Sequence, residues 1–184
     1  VYKLSLCAAD ISEPEAMESV LNDFALTPAD IDIAILNAGI KQASVDFIEC
    51  DAMRNTFEVN FWGAVQCADS FVKVWKSLQQ QKNLIFVSSA GRWHGMPASG
   101  GYNASKAALS IFVDSLRLDL KKRGIDSIRI TTIEPGLIHT GMVQQKGIQK
   151  LLSITSEKAA EKILKAIVQQ KYTSKFPYIF VMFT

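Results

Sequence analysis

Three side chains in the second half of the sequence have the types and spacing needed to move a proton. Tyr102 and Lys106 lie four residues apart in a helical pattern, and Ser89 precedes Tyr102 by thirteen residues. Four residues are about one helical turn, so the phenol and the ammonium share one helix face. A nearby cation favours phenolate over phenol, so we expect Lys106 to hold the pKa of Tyr102 below its usual value of about 10. With the Ser89 hydroxyl beside it, the pair is equipped to protonate or deprotonate a carbonyl or carbinol oxygen.

The spacing alone leaves a second interpretation open, a surface tyrosine packed on a lysine stem. The elements that must position these residues help to decide. Strands alternating with helices indicate βαβ units around a parallel sheet, and therefore an α/β fold. The predicted strands are Tyr2–Cys7, Ile31–Leu36, Leu84–Val87, Ile128–Ile133 and Tyr178–Met182, and the predicted helices are Glu13–Phe24, Ala52–Gln80, Tyr102–Lys122 and Glu157–Gln169. Ser12 and Ser156 are predicted to cap the first and last helices, and Gly124 to end the third.

Composition excludes several classes of function. The net charge is +2, so no basic field indicates a nucleic acid or an anionic lipid as partner. Three cysteines, Cys7, Cys50 and Cys67, are an odd number without metal spacing and favour a reduced, cytoplasmic protein. His94 and His139 each lack a second ligand at metal spacing, so we expect no metal site. No apolar run is long enough to span a bilayer.

Three turns with small residues follow the predicted inner strands. They are Asn37–Gly39, Ser88–Gly91 and Glu134–Gly136. Any one of them is typical of an ordinary strand-to-helix turn. Ligands of parallel sheets bind at the carboxyl ends of the strands, so three such turns, followed by Tyr102 and Lys106, indicate a site at that edge.

At these residues the sequence resembles the short-chain dehydrogenase/reductase family, from end to end. The resemblance implies a Rossmann-like, doubly wound parallel sheet in three α/β/α layers, forming a single domain over residues 1–184. The matching motifs, in order, are Ala9-Asp10-Ile11, Asn37-Ala38-Gly39, Asn60 within Val59–Gly63, Ser89, Tyr102 with Lys106, and Pro135-Gly136 with Thr140.

The resemblance also implies catalytic roles. Tyr102 exchanges a proton with the substrate oxygen as hydride passes to or from a nicotinamide, and Ser89 hydrogen-bonds that oxygen. Lys106 lowers the pKa of Tyr102 and binds the nicotinamide ribose. Asn60 holds a water that links Lys106 to solvent, or its amide satisfies a break in its own helix; the two interpretations are compatible.

The implied cofactor is NAD or NADP. Asp10 is expected to contact the adenine ring, and Pro135, Gly136 and Thr140 the nicotinamide end. The residues that choose between the two cofactors normally follow the first two strands of the family, so the choice stays open. The full set of expected cofactor contacts is Asp10, Ile11, Asn37, Ala38, Gly39, Tyr102, Lys106, Pro135, Gly136, Ile138 and Thr140.

One departure from the family stands out. No glycine-rich strand–helix–strand segment precedes Asp10, although the family begins with one. In the family's strand order, 3-2-1-4-5-6-7, Tyr2–Cys7 would be strand 3, two strands away from the rest. Either the sequence is part of a longer chain, which we favour, or Tyr2–Cys7 pairs elsewhere, for example against Ile31–Leu36. The second case predicts our alternative function, a truncated and catalytically inactive scaffold or interaction protein.

Two other classes share parts of this pattern. Sugar-nucleotide epimerases have the Tyr–Lys pair, but they are usually longer and separate the serine from the tyrosine more widely. Non-catalytic relatives that sense nucleotides keep the fold and typically lose the tyrosine. The complete set of Asn60, Ser89, Tyr102 and Lys106 argues against this last class.

The loop between Ser89 and Tyr102 bears on the substrate. Trp93 and Met96 make it apolar, which indicates a small apolar carbonyl or alcohol substrate, although the two side chains can equally pack the loop itself. Met142 and Val143 begin a segment, 141–155, that forms a lid in many relatives. By resemblance we expect a homodimer or homotetramer; membrane contact by the apolar tail, Phe176–Phe183, is the less favoured interpretation. The aromatic residues expected to supply the subunit surface are Phe57, Phe61, Trp62, Phe71 and Trp75.

Overall fold

The described part of the chain, residues 4–42, 48–139 and 153–177, forms one parallel sheet flanked by helices in the computed structural model. The strands lie in the order β1-β2-β3-β4, and all neighbouring pairs are parallel. This confirms the predicted α/β class. The strands are β1 Ile33–Leu36, β2 Lys82–Val87, β3 Ile128–Pro135 and β4 Thr173–Phe176.

Helices connect the strands and cover both faces of the sheet. Two single turns of 3₁₀ helix, Pro28–Asp30 and Ala90–Trp93, precede β1 and follow β2. The helices are α1 Ala16–Asp23, α2 Cys50–Phe57, α3 Ala64–Trp75, α4 Gly100–Lys122 and α5 Ser156–Val168.

The central strand β2 shows how the layers form. Successive side chains of a strand point to opposite faces. Leu84 and Phe86 pack with α3 and α4 on one face, whereas Ile85 and Val87 pack with α5 on the other. The buried run Leu84–Val87 of β2 is therefore apolar throughout, as expected for a sheet covered on both faces. The doubly wound, three-layer prediction is confirmed.

The outermost predicted strands need correction. Residues 4–7 belong to none of the described strands, and Leu4 and Leu6 are each 84% exposed. A strand needs a neighbour for its backbone hydrogen bonds, and 4–7 pairs neither with β1 nor with another described strand. The predicted strand Tyr178–Met182 lies outside the described residues. The observed strand β4 precedes that segment. Its first three residues, Thr173–Lys175, are polar, so the sequence pattern did not predict a strand there.

The predicted helix Ala52–Gln80 is three consecutive pieces. Between α2 and α3 the chain forms a wider π-helical turn over Glu58–Gly63. Such turns are rare and accumulate at functional sites. Gly63 ends this turn where Ile11 approaches it: a methyl group on Gly63 would lie 2.7 Å from the Ile11 carbonyl oxygen. The wide turn thus brings the segment after residue 10 against the middle of the long helical region.

The helix ends follow the predictions in part. Gly124, with a φ of +68°, follows the end of α4 as predicted. Ser12 does not cap α1, because it hydrogen-bonds Asp10 four residues before the helix begins. Thr155 rather than Ser156 caps α5, accepting a hydrogen bond from the Lys158 amide.

Of the aromatic residues assigned to a subunit surface, Phe71 and Trp75 are buried in the core beneath the sheet, and Trp62 is 48% exposed. That assignment is therefore wrong for Phe71 and Trp75, because α3 turns them towards β1 and β2. Within the described ranges, no helix has the length and apolar character to cross a membrane.

Candidate active site

The carboxyl end of the sheet carries the residues singled out in the sequence. Asn37 follows β1, Ser89 follows β2 after one residue, and Pro135 ends β3. Because the strands are parallel, these three points share one edge. Helix α4 begins at Gly100, so Tyr102 and Lys106 lie in its first two turns. The chain therefore brings Ser89, Tyr102 and Lys106 together.

The Ser89 hydroxyl lies close enough to Tyr102 to favour its phenolate, which opposes the effect of burial on the Tyr102 pKa. The Ser89 hydroxyl oxygen accepts a hydrogen bond of 3.0 Å from the Gly91 amide. A hydroxyl has one donor and two acceptor sites. The Gly91 amide occupies an acceptor site, which leaves the Ser89 proton for an oxygen on the Tyr102 side.

Lys106 lies behind this pair and is 4% exposed. Its Nζ donates a 2.8 Å hydrogen bond to the Val87 carbonyl oxygen at the end of β2. A methyl group on Gly39 would lie 3.3 Å from that Nζ and 3.1 Å from Asn60 Oδ1. Gly39 thus lets the backbone after β1 approach the ammonium closely; a side chain there would require Asn60 or Lys106 to move by a few tenths of an ångström.

Burial shifts the pKa of both titratable groups towards the neutral form. It lowers the pKa of Lys106 to about 8 and raises the pKa of Tyr102, although the hydrogen bond with Ser89 acts in the opposite direction. The expectation that Lys106 holds the pKa of Tyr102 below its usual value is therefore wrong for this arrangement. Desolvation disfavours the charged form of each group, and the Lys106 ammonium is directed at Val87.

The buried lysine predicts an unusual pH dependence of stability. Between about pH 8 and about pH 10.4 the unfolded chain binds more protons at this site than the folded chain, so the Lys106 contribution to the unfolding free energy rises with pH. Relative to Lys106→Met, wild type should gain about 2 kcal/mol between about pH 7 and about pH 9.5. Urea unfolding of both proteins at the two pH values measures this. A constant difference would contradict the lowered pKa.

Asn60 is fully buried in the wide turn. Its Oδ1 accepts a 2.7 Å hydrogen bond from the Ile40 amide, and its Nδ2 donates to the Ile40 carbonyl at 2.9 Å and to Ser105 Oγ at 3.0 Å. The amide therefore joins the loop after β1 to α4 and does not satisfy a break in its own helix, as one interpretation held. Its role in holding a water stays a prediction.

The other expected cofactor contacts are partly at this edge. Asn37 and Ala38 are exposed there. The Gly136 amide donates to the Phe176 carbonyl at 2.7 Å, and Ile138 forms a parallel bridge with Ile154. Thr140, Met142 and Val143 lie outside the described residues.

Asp10 and Ile11 lie in the segment before α1, where Ile11 packs against Gly63. Asp10 is exposed and accepts hydrogen bonds from the Ser12 hydroxyl at 2.7 Å and the Ser12 amide at 2.9 Å, both of which lower the pKa of its carboxyl. It lines a cavity of about 420 Å³ formed by residues between Ala8 and Ser19. Neither Tyr102 nor Lys106 lines that cavity.

The sequence analysis did not identify several residues that lie at the site. Ser105 supports Asn60 from within the Tyr–Lys motif, and Lys41 places its Nζ 5.9 Å from the centre of the Tyr102 ring. Glu134, noticed only as part of a turn, is a buried carboxylate with three partners. No spacing rule links Glu134 or Lys41 to the site, because each approaches it from another strand end. No three His, Cys, Asp or Glu side chains are grouped to hold a metal ion in 4–42, 48–139 and 153–177.

Trp93 and Met96 are 49% and 37% exposed. The Trp93 indole N–H donates to Glu134 Oε2 at 3.1 Å, and a methyl group on Gly91 would lie 3.3 Å from Met96 Cε. Both side chains therefore pack partly within their own loop, while part of each remains open to a ligand.

Comparison with known proteins identifies related sequences. The family model described as short chain dehydrogenase matches residues 2–151. The vibriobactin-specific 2,3-dihydro-2,3-dihydroxybenzoate dehydrogenase of Vibrio cholerae is 32% identical over 144 residues, which are 78% of this chain and 53% of that protein. The 11-beta-hydroxysteroid dehydrogenase 1A of Arabidopsis thaliana is 29% identical over 140 residues, 75% of this chain and 38% of that protein. The chain thus spans about half or less of the length of these curated relatives.

Solved structures show the same fold. A short-chain dehydrogenase from Streptomyces avermitilis has a TM-score of 0.77 at 18% identity, covering 96% of this chain and 73% of that one. A short chain dehydrogenase from Burkholderia cenocepacia, solved in complex with NADP, has a TM-score of 0.73 at 23% identity. The match covers 91% of this chain and 67% of that one. The Rossmann-like prediction is confirmed. From the family model and the arrangement of its fold, we conclude that this chain belongs to the short chain dehydrogenase family.

Proposed function

We propose that the protein is an NAD(P)-dependent oxidoreductase that interconverts a carbonyl group and an alcohol, with Tyr102 as the acid/base. The observation that carries the proposal is the placement of the Ser89 hydroxyl beside Tyr102 and of the buried Lys106 at the same edge of the sheet. A tyrosine packed at random on a lysine stem would require neither the serine nor the burial. The proposed cytoplasmic location follows from the cysteine content.

The surroundings of Lys106 suit a nicotinamide ribose. An ammonium has three N–H donors, and among the described residues Lys106 donates to one acceptor, Val87 O. Its Nζ also lies close to Gly39, which has no side chain to cover it. Lys106 would bind the ribose hydroxyls there, and the bound cofactor would supply or accept the hydride. The proposed further contacts are Asp10, Ile11, Asn37, Ala38, Gly39, Tyr102, Pro135, Gly136, Ile138 and Thr140.

The raised pKa of Tyr102 fits the reductive direction. Burial keeps the phenol protonated at neutral pH, so Tyr102 has a proton to donate to the carbonyl oxygen. The Ser89 hydroxyl would donate a hydrogen bond to the same oxygen and stabilise the charge that develops on it. Asn60 would hold a water next to Lys106 through which the proton is replaced.

The function is tested by mixing the chain with NADH or NADPH and a panel of ketones and aldehydes of increasing apolar size. Consumption of reduced nicotinamide that depends on the carbonyl compound supports the proposal. Because Trp93 and Met96 are partly exposed beside Ser89, we expect apolar members of the panel to react fastest. Cofactor binding without turnover of any member would favour the alternative of an inactive scaffold.

Ser89→Ala should lower kcat by about 10²- to 10³-fold, the effect of removing one donor from a developing oxyanion. The matched control is Ser88→Ala, because the Ser88 hydroxyl is bound to Lys106 O and to Ser110 and not to Tyr102. We expect the control to lose stability and keep kcat within a few-fold. An unchanged kcat in Ser89→Ala would make Ser89 a structural hydroxyl.

We also propose a homodimer or homotetramer built through the outer side of α4. Ile111 and Leu118 are 63% and 68% exposed there, seven residues apart on one helix face. Light scattering of wild type and of Ile111→Glu/Leu118→Glu tests this. A monomeric wild type would contradict it.

A further inference from the structure

A buried carboxylate lies one strand away from the catalytic serine. Glu134, near the end of β3, is 1% exposed. Its Oε1 lies 2.9 Å from Arg92 Nε; its Oε2 accepts a hydrogen bond of 3.1 Å from the Trp93 indole and lies 3.4 Å from Lys175 Nζ. We call these four residues the Glu134 cluster. A buried charge is tolerated only when it is paired, so removal of one partner has a large effect on the others.

The partners of Glu134 also hold one another. The Arg92 guanidinium carbon lies 3.9 Å from the centre of the Trp93 ring, and Lys175 Nζ lies 4.4 Å from it. Cations near an aromatic face are attracted by it. The side chains of Arg92 and Trp93 are therefore fixed to β3 and β4, the strands that carry Glu134 and Lys175.

The cluster is continuous with the backbone around Ser89. Arg92 and Trp93 end the single turn Ala90–Trp93, and Ser89 caps its start. The Arg92 amide donates to the Ser89 carbonyl at 3.2 Å, and the Gly91 amide donates to Ser89 Oγ at 3.0 Å. Movement of the end of this turn would therefore displace the donor that orients the Ser89 hydroxyl.

We propose that Glu134 and Arg92 are positioning residues that fix the Ala90–Trp93 turn and thereby hold the Ser89 hydroxyl in its catalytic orientation. The inference rests on the proposed function, in which Ser89 donates to the substrate oxygen. It adds to the reaction Glu134 on β3 and Arg92 in the turn after β2, neither of which touches the reacting atoms. Because small misplacements of catalytic groups slow reactions strongly, the cluster is expected to act on kcat.

A double-mutant cycle on the full chain tests this route of action. Arg92→Met should lower kcat by about 10- to 100-fold when Ser89 is present and leave the KM for the cofactor within a few-fold. In a Ser89→Ala background the same change should have almost no further effect on kcat. Equal losses in the two backgrounds, or no loss in the first, would overturn the proposal.

Two further variants separate positioning from general destabilisation. Glu134→Gln/Arg92→Met removes both charges, so it folds without an unpaired buried carboxylate, and it should show the same kcat loss. Arg117→Met is the matched control: Arg117 also joins a helix to β3 and to the residue before β4, through Thr132 Oγ1 and Tyr172 O at 2.6 Å each. It should lower stability and leave kcat unchanged.

Hydrogen exchange without cofactor or substrate gives a readout that does not depend on activity. The backbone amides of Gly91 and of position 92 should exchange faster in Arg92→Met and in the double variant than in Arg117→Met. Unchanged exchange would overturn the proposal even if the enzyme is active. If wild type turns over no carbonyl compound, the proposed function fails, and accelerated exchange would still support the fixing of the turn.

Discussion

Replacement of Tyr102 by phenylalanine should abolish turnover and leave cofactor binding intact. The variant loses the proposed proton donor and the hydrogen bond to Ser89, while its ring fills the same partly buried space. General acid catalysis contributes about 10²- to 10⁴-fold, so kcat should fall by at least this range. The Kd for the nicotinamide cofactor should change by only a few-fold, because the contacts through Lys106 and Gly39 remain.

Tyr172→Phe is the matched control, since Tyr172 is 78% exposed and its contact with Arg117 is through the backbone carbonyl. Steady-state kinetics and fluorescence titration of both variants give kcat and Kd separately. Retained turnover in Tyr102→Phe would remove Tyr102 as the acid/base. Loss of cofactor binding in the same variant would show that the phenol contributes to the cofactor site.

Lys106→Met should weaken both turnover and cofactor binding. The buried ammonium lies near Gly39 and donates to Val87 O alone among the described residues, so it has N–H groups left for the cofactor. Hydrogen bonds to a charged group contribute about 1.5–3 kcal/mol. We therefore expect the cofactor Kd to rise by about 10- to 100-fold. Turnover should fall further, because the proposed contact that holds the nicotinamide ribose in place for hydride transfer is lost.

The matched control for this change is another buried lysine. Lys82 is 1% exposed, and its Nζ donates to Ala29 O at 2.8 Å and to Asp32 Oδ1 at 2.9 Å, at the opposite end of β2. Lys82→Met should lower the unfolding free energy and leave the cofactor Kd of the folded protein unchanged. If Lys106→Met changed only kcat or only the cofactor Kd, Lys106 would have one of the two proposed roles and not both.

The inner fold was predictable because its residues encode it locally. The apolar run of β2, the long pattern of α4 and the glycine after it each identify an element without knowledge of its neighbours. The edges were not predictable. Residues 4–7 have strand-like side chains and no described strand beside them, and β4 is a strand because β3 pairs with it in spite of its polar residues.

The site divides in the same way. Tyr102 and Lys106 share one helix, so their proximity follows from spacing alone, and Ser89 reaches them because its strand ends at the same edge. The pKa of Tyr102 is raised and not lowered as predicted, because burial depends on the packed structure and not on residue spacing. The Glu134 cluster joins three separate chain segments, and no local sequence pattern predicts such a contact.

The most direct test of the proposed function is a fluorescence titration of the chain with NADH and NADPH, with Lys106→Met as the matched variant. We predict saturable binding of at least one of the two cofactors, weakened by about 10- to 100-fold in Lys106→Met. The preferred cofactor would then be used in the carbonyl screen. Absence of binding to a folded chain, or equal binding by the variant, would contradict the assignment of this strand edge as a nicotinamide site.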